Sequence, residues 1–204
     1  DGVEMNDLSY GSFPLLRHLN VEQLERIEII RGPGSALYGG HAELAVVNVI
    51  TRASLLDGGS VALAGWRTSE TSGGSATAAA GATVGALRLG ATASVGTGPE
   101  SNETFTDIYG DQVDMADSTR IRPAPVTARA VWRWLDVRAI YDDYALEVVD
   151  GYDAVLPAPV DVRWRTAGID ARGAFDLGGD VTLLPRIAYR WEKPWQVTDP
   201  DFTE

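Results

Sequence analysis

Chemistry in this chain would have to come from very few side chains. There are two histidines, His18 and His41, and no cysteine. Disulfide frameworks, thiolate metal sites and cysteine nucleophiles are therefore excluded. Neither histidine has a partner at ligand spacing, and Glu43 beside His41 is too thin a motif for zinc. Both read as ordinary polar residues. No nucleophile and base stand at usable spacing, so no catalytic residue can be named. No cofactor-binding residue can be named either. The glycine-rich run from Gly32 through Gly34 to Gly40 could cradle a phosphate, but it lacks a Gly-Lys-Ser/Thr ending and has no lysine nearby.

The charged residues form two kinds of group. Glu25, Arg26, Glu28 and Arg31 make a mixed cluster. By themselves they read as a solvated quartet, worth about 0–1 kcal/mol per pair. The stretches 97–120 and 142–161 are acidic. They could take divalent cations, but solvated loops are the plainer reading. Asp111, Asp114 and Asp117 lack the central glycine and terminal glutamate of a calcium loop. Lys plus Arg is 17 against 29 for Asp plus Glu, a net charge of −12. A nucleic-acid partner needs a basic footprint and is excluded.

The elements that would position these residues follow two grammars. Residues 1–52 are motif-like. Asn20 is placed to cap a short helix Val21–Arg26, with Gln23 completing a capping box. Ile27–Ile30 reads as a strand and Ser35–Tyr38 as a helical turn. Leu44–Ile50 is nearly all apolar and is expected to be a strand buried on both faces. Residues 53–58 read as a hinge.

Residues 59–204 alternate with period two. The expected strands are 60–68, 75–84, 86–96, 126–134, 135–144, 167–177 and 181–191, each near the length that crosses a membrane when tilted. Leu87, Leu89, Ala91, Ala93 and Val95 share one face, with Arg88, Gly90, Thr92, Ser94 and Gly96 opposite. Tight turns are expected after the second, fourth and sixth strands, and long connections at 97–125 and 145–161. That alternation fits an outer-membrane barrel, and aromatics near strand ends fit interfacial girdles. A soluble sandwich also alternates and stays open on this ground alone. No apolar run reaches the length of a membrane helix, and no signal peptide opens the chain, which begins at Asp1 without a methionine.

A longer pattern joins the two parts. Asp1-Gly2-Val3, the string Val21 to Gly39 with its Glu-Arg-Ile-Glu and Arg-Gly-Pro core, and Val46 to Arg52 together resemble the plug domain of TonB-dependent outer-membrane receptors. The resemblance implies a mainly β protein. A small mixed α/β plug piece (1–52) would be followed by antiparallel transmembrane strands, about seven of an expected 22. The chain would then be a fragment, with the segment that contacts the TonB complex upstream of Asp1. Arg31, Gly32, Pro33, Gly34, Ser35, Tyr38, Gly39 and Asn48 would be the plug motif. Glu25, Arg26, Glu28 and Arg31 would be candidates for plug–barrel ion pairs.

The implied activity is energised uptake of a scarce small substrate across the outer membrane of a Gram-negative bacterium. A ferric siderophore, haem, cobalamin or a glycan would be typical, and the partners would be the TonB complex and outer-membrane lipid. No enzyme activity, metal or cofactor is implied. A passive porin-like barrel and a soluble β-rich binding module are the alternatives. The first would have no plug, and the second would need no detergent.

Overall fold

The computed structural model describes residues 2–6, 18–32, 44–54, 57–67, 72–150 and 154–197. The N-terminal unit contains a 3-10 turn at Val21–Gln23, then strand β1 (Leu24–Arg31), then strand β2 (Ala45–Thr51), which pairs antiparallel with β1. A second 3-10 turn, Arg52–Ser54, leads to the large sheet.

Three local expectations are corrected here. The helix expected over Val21–Arg26 is only the 3-10 turn, and the chain is extended from Leu24 onward. Asn20 makes no side-chain cap, and Gln23 turns inward instead of reciprocating. The β-branched run from Ile27 favours a strand, and pairing with β2 fixes that choice. The strand expected over Leu44–Ile50 is β2, but it is not buried on both faces: Leu44 is 85% exposed and Val47 50%. A two-stranded ribbon has no second layer to cover it. The helical turn expected at Ser35–Tyr38 lies outside the described residues.

The large sheet has seven strand positions in chain order. They are β3 (Gly58–Arg67), β4 (Ser72–Val84), β5 (Leu87–Pro99), a position shared by two short strands, then β10 (Leu135–Asp150), β11 (Val155–Gly173) and β14 (Arg186–Val197). The shared position holds β8 (Arg120–Pro123) and β9 (Val126–Trp132). Both pair with β5 on one side and β10 on the other. Pro123 and Pro125 lack the N–H a continuous ladder needs, so the strand breaks between them. All pairings are antiparallel.

Seven alternating segments thus become seven antiparallel positions, with shifted ends. The connection expected at 145–161 is mostly strand, because β10 and β11 stay paired up to Asp150 and Val155. Apolar alternation stops before the backbone pairing does. The stretch 97–125 carries a small hairpin, β6 (Thr104–Thr106) with β7 (Gln112–Asp114), and a four-residue helix at Met115–Ser118. The turn at Gly178-Gly179-Asp180 closes a separate hairpin, β12 (Phe175–Gly178) with β13 (Val181–Leu183). All three turn residues have positive φ, and two are glycine, which adopts it at no steric cost.

The two faces of the sheet differ. One carries Thr77, Thr92, Ser94, Thr127, Asp142, Thr166 and Asp170, all buried. The other carries exposed Val61, Leu63, Leu89, Val95, Ile169, Ile187 and Tyr189. This exposed face changes character in register. Tyr141, Ala167 and Trp191 lie side by side across β10, β11 and β14, and two residues on lie Asp143, Arg165 and Lys193. Trp132, Trp134 and Phe175 cluster near the tight turns at the opposite end, with Trp134 and Phe175 ring centroids 4.5 Å apart. An apolar band bounded by aromatics and then charge is what a bilayer requires of a barrel wall. No helix among the described residues is long and apolar enough to cross a membrane.

Candidate functional site

The buried face of the sheet is where the N-terminal unit sits. Thr92 and Thr127 are neighbours in register on β5 and β9, and their hydroxyls are 2.8 Å apart. The Thr127 hydroxyl also donates to that of Thr51, at 3.3 Å, extending the row to the end of β2. Just beyond, the Arg52–Ser54 turn lies directly on β5. A Cβ added at Gly90 would come 1.7 Å from the Ala53 carbonyl oxygen, so only glycine permits this approach. Gln23 is fully buried, and its amide donates to the Pro125 carbonyl at 3.4 Å. We call this contact, from Gln23 through Thr51 to Ala53, the root.

A second contact lies on β10. The His18 ring bonds through Nδ1 to the Asp142 carboxylate, and both side chains are more than nine-tenths buried. The ring stacks on Tyr144, with centroids 4.1 Å apart and planes 22° from parallel. Tyr144 leads to Trp164 and Trp195 through further ring contacts at 5.6 and 4.9 Å. The other Asp142 oxygen, Oδ1, is buried with no hydrogen-bond partner among the described residues. Sequence reasoning set His18 aside as an ordinary polar residue. Its partner is 124 positions away. The available signal was Asp142 itself, a carboxylate on the same strand face as Ile140, Tyr144 and Leu146.

A third contact holds the first described residues. The Gly2 carbonyl accepts from Arg172 at 2.9 Å and from Arg186 at 3.4 Å, and the Asn6 carbonyl accepts from Arg190. Val3 lies over Gly168, where a Cβ would come 3.0 Å from its methyl group. These arginines belong to a ladder of pairs on the wall: Arg172 and Arg186 both on Asp170, and Arg129 and Arg138 both on Asp136.

The residues singled out in the sequence fall elsewhere. Arg26 and Glu28 form an exposed pair at 2.7 Å. Asn48 donates to Glu28 across the hairpin at 2.8 Å. The Arg26 bond, and then that from Asn48, hold the Glu28 carboxyl below its usual range. Glu25 and Arg31 are exposed, and Arg31 makes no ion pair with any described residue. Gly32 has φ +106 and donates its N–H to the Leu44 carbonyl at 2.9 Å, closing the described end of the hairpin. Pro33, Gly34, Ser35, Tyr38 and Gly39 lie outside the described residues, as does His41.

One acidic stretch also has an organiser. Asp107 accepts from the N–H groups of Tyr109 and Asp111, at 2.8 and 2.9 Å, and from that of Val155 at 3.0 Å. These donors, Val155 foremost, hold its carboxyl below the usual range. The bond to Val155 ties the β6–β7 loop to the start of β11.

The sequence model described as the TonB-dependent Receptor Plug Domain matches residues 1–46. The chain carries a TonB-dependent receptor plug domain at its N-terminus. A curated relative, the vitamin B12 transporter BtuB of Vibrio vulnificus (strain CMCP6), is 48% identical over 62 residues. That match spans 30% of this chain and 10% of the transporter. The matched segment is followed by a large antiparallel sheet, and the three contacts of the N-terminal unit all fall on the polar face of that sheet.

Proposed function

We propose that this chain is part of an outer-membrane transporter that takes up a small substrate with energy delivered by the TonB complex. The observation that carries this reading is the two-faced sheet. A matched plug is seated on its polar side, and its other side is apolar up to an in-register charged boundary. A polar interior filled by a separate chain segment, behind an apolar exterior, is the plan of a plugged membrane barrel. In this proposal residues 1–52 are the C-terminal part of the plug, 53–58 the hinge and 59–204 early barrel strands. The wall would continue in strands outside this chain and face outer-membrane lipid in a Gram-negative bacterium. The TonB complex would act through a segment upstream of Asp1, moving a plug that has two arrangements. The protein would bind and move its substrate without transforming it. Arg31, exposed here, would meet carboxylates on that further wall.

The similarity to a vitamin B12 transporter directs the substrate proposal to a cobalamin, ahead of ferric siderophores, haem and glycans. The test is uptake of labelled cyanocobalamin by cells whose only such receptor is the one carrying this segment. Uptake abolished by loss of TonB supports the proposal. Uptake that survives loss of TonB would favour a passive barrel. A receptor that stays monodisperse without detergent would overturn the membrane reading.

A further inference from the structure

We propose that His18 and Asp142 form a release pin. The plug leaves the wall at this point, and at the Gly2–Asn6 strap beside it, while the root at Thr51–Ala53 stays in place. This rests on the transport reading above, since it says where within the plug the rearrangement occurs.

The three contacts differ in what each loses on separation. At the root, the Ala53 backbone fills the notch over Gly90, and the hydroxyl row Thr51–Thr127–Thr92 continues it into the sheet. The chain also runs from Ser54 to β3 within a few residues, so the root cannot travel far. The pin has no such continuity. It is held by one plug side chain, whose ring bonds to one carboxylate and stacks on Tyr144 with no backbone seated in the wall, and that carboxylate is only half-satisfied, because Asp142 Oδ1 has no partner among the described residues. A buried carboxylate with an open lone-pair site gains hydration as soon as water enters. The strap is similar, because carbonyls held by Arg172, Arg186 and Arg190 exchange readily for water while each arginine keeps its own carboxylate. Separation therefore costs least on β10, β11 and β14, and most on β5 and β9.

Two paired-cysteine receptors test this. The sequence given has no cysteine to interfere. His18→Cys with Asp142→Cys, bridged by a short reducible bis-thiosulfonate linker, ties the pin. Thr51→Cys with Thr127→Cys ties the root. The pin linker should stop energised uptake with substrate binding intact, and a reductant should restore it. The root linker should leave uptake near that of the unlinked receptor. Uptake through a closed pin linker, or equal blockage by the root linker, overturns the proposal. A second readout does not need transport. Spin labels at the same pairs in detergent-solubilised receptor, titrated with urea, should separate at 18/142 before 51/127. Simultaneous or reversed separation overturns the pin even if uptake is established. Ordered separation in a receptor that lacks TonB-dependent uptake would keep the pin and reject the transport reading.

Discussion

The β1–β2 hairpin and the root belong to the same N-terminal unit and behave oppositely. The hairpin carries the conspicuous charges, yet Ile27, Ile29, Val47 and Arg26 are exposed and its ion pair is solvated. The root carries small neutral residues, yet Gln23, Thr51 and Ala53 are buried against the sheet. Residue types that look functional are where the chain meets little of the described wall. At the root, residue types that look bland lock the two units. Geometry makes the difference at these two places: hydroxyls and glycine allow the backbone of the root to approach the sheet closely, while the charged side chains of the hairpin point to water.

The sharpest way to break this contrast is Gly90→Leu. The first added carbon would already sit 1.7 Å from the Ala53 carbonyl oxygen, a backbone atom with nowhere to go. The full-length receptor should fail to assemble, read as loss of the folded, fast-migrating species on unheated gels. Normal assembly would mean that the root is not seated as described. Next is His18→Ala, which leaves the Asp142 carboxylate buried without its partner. Leaving a buried hydrogen-bonding group without its partner costs about 1–3 kcal/mol. The urea midpoint for plug release should fall accordingly, and His18→Gln, which keeps a donor, should recover part of the loss. A third is Thr127→Val, which removes the hydroxyl linking Thr51 to Thr92 at nearly constant shape. About 1 kcal/mol should be lost, measured by the urea midpoint for separation at the root.

These predictions also mark how far the sequence could be read. Period-two alternation exposed all seven strand positions, because a sheet with one apolar face and one polar face must alternate. It failed at strand ends for a physical reason. Past Tyr141 and Ala167 the exposed face turns charged, so alternation of polarity ends while hydrogen bonding continues to Asp150 and Val155. The capping box at Asn20 and Gln23 failed because burial turns Gln23 toward the sheet: its amide N–H donates to the Pro125 carbonyl, and its Oε1, which would have accepted from the Asn20 N–H, has no partner among the described residues. The family resemblance lay in a contiguous string and was legible. The contacts of the site were not. His18 with Asp142, and Thr51 with Thr127, are separated by 124 and 76 positions, and no local pattern encodes such pairings.

Asp107 allows a smaller test away from the plug. Asp107→Asn keeps the side chain's size but weakens acceptance from the Val155, Tyr109 and Asp111 N–H groups. Amide hydrogen exchange should quicken at these three positions and stay unchanged at the root. Because the native carboxyl is held below its usual range, the wild-type tie should persist well into acid. It should loosen only as pH falls through that lowered value. Loosening near neutral pH would show that the backbone donors do not hold this carboxyl.

The smallest expected effect is at Glu28, and it decides the hairpin's side of the contrast. Its carboxyl is held low by Arg26 and Asn48, so any stability it adds is present above the usual carboxylate range and fades as pH falls through the lowered value. The pair is open to water, where such contributions are screened. Glu28→Gln should therefore leave the urea midpoint of the full receptor unchanged at neutral pH, whereas Arg31→Ala should lower it, because Arg31 is proposed to meet carboxylates on the further wall. A clear drop for Arg31→Ala alone would mean that wall strands outside this chain supply its carboxylate, as the ion-pair proposal requires. The hairpin would then be a second anchoring surface facing the opposite wall, and the plug would be held from both sides.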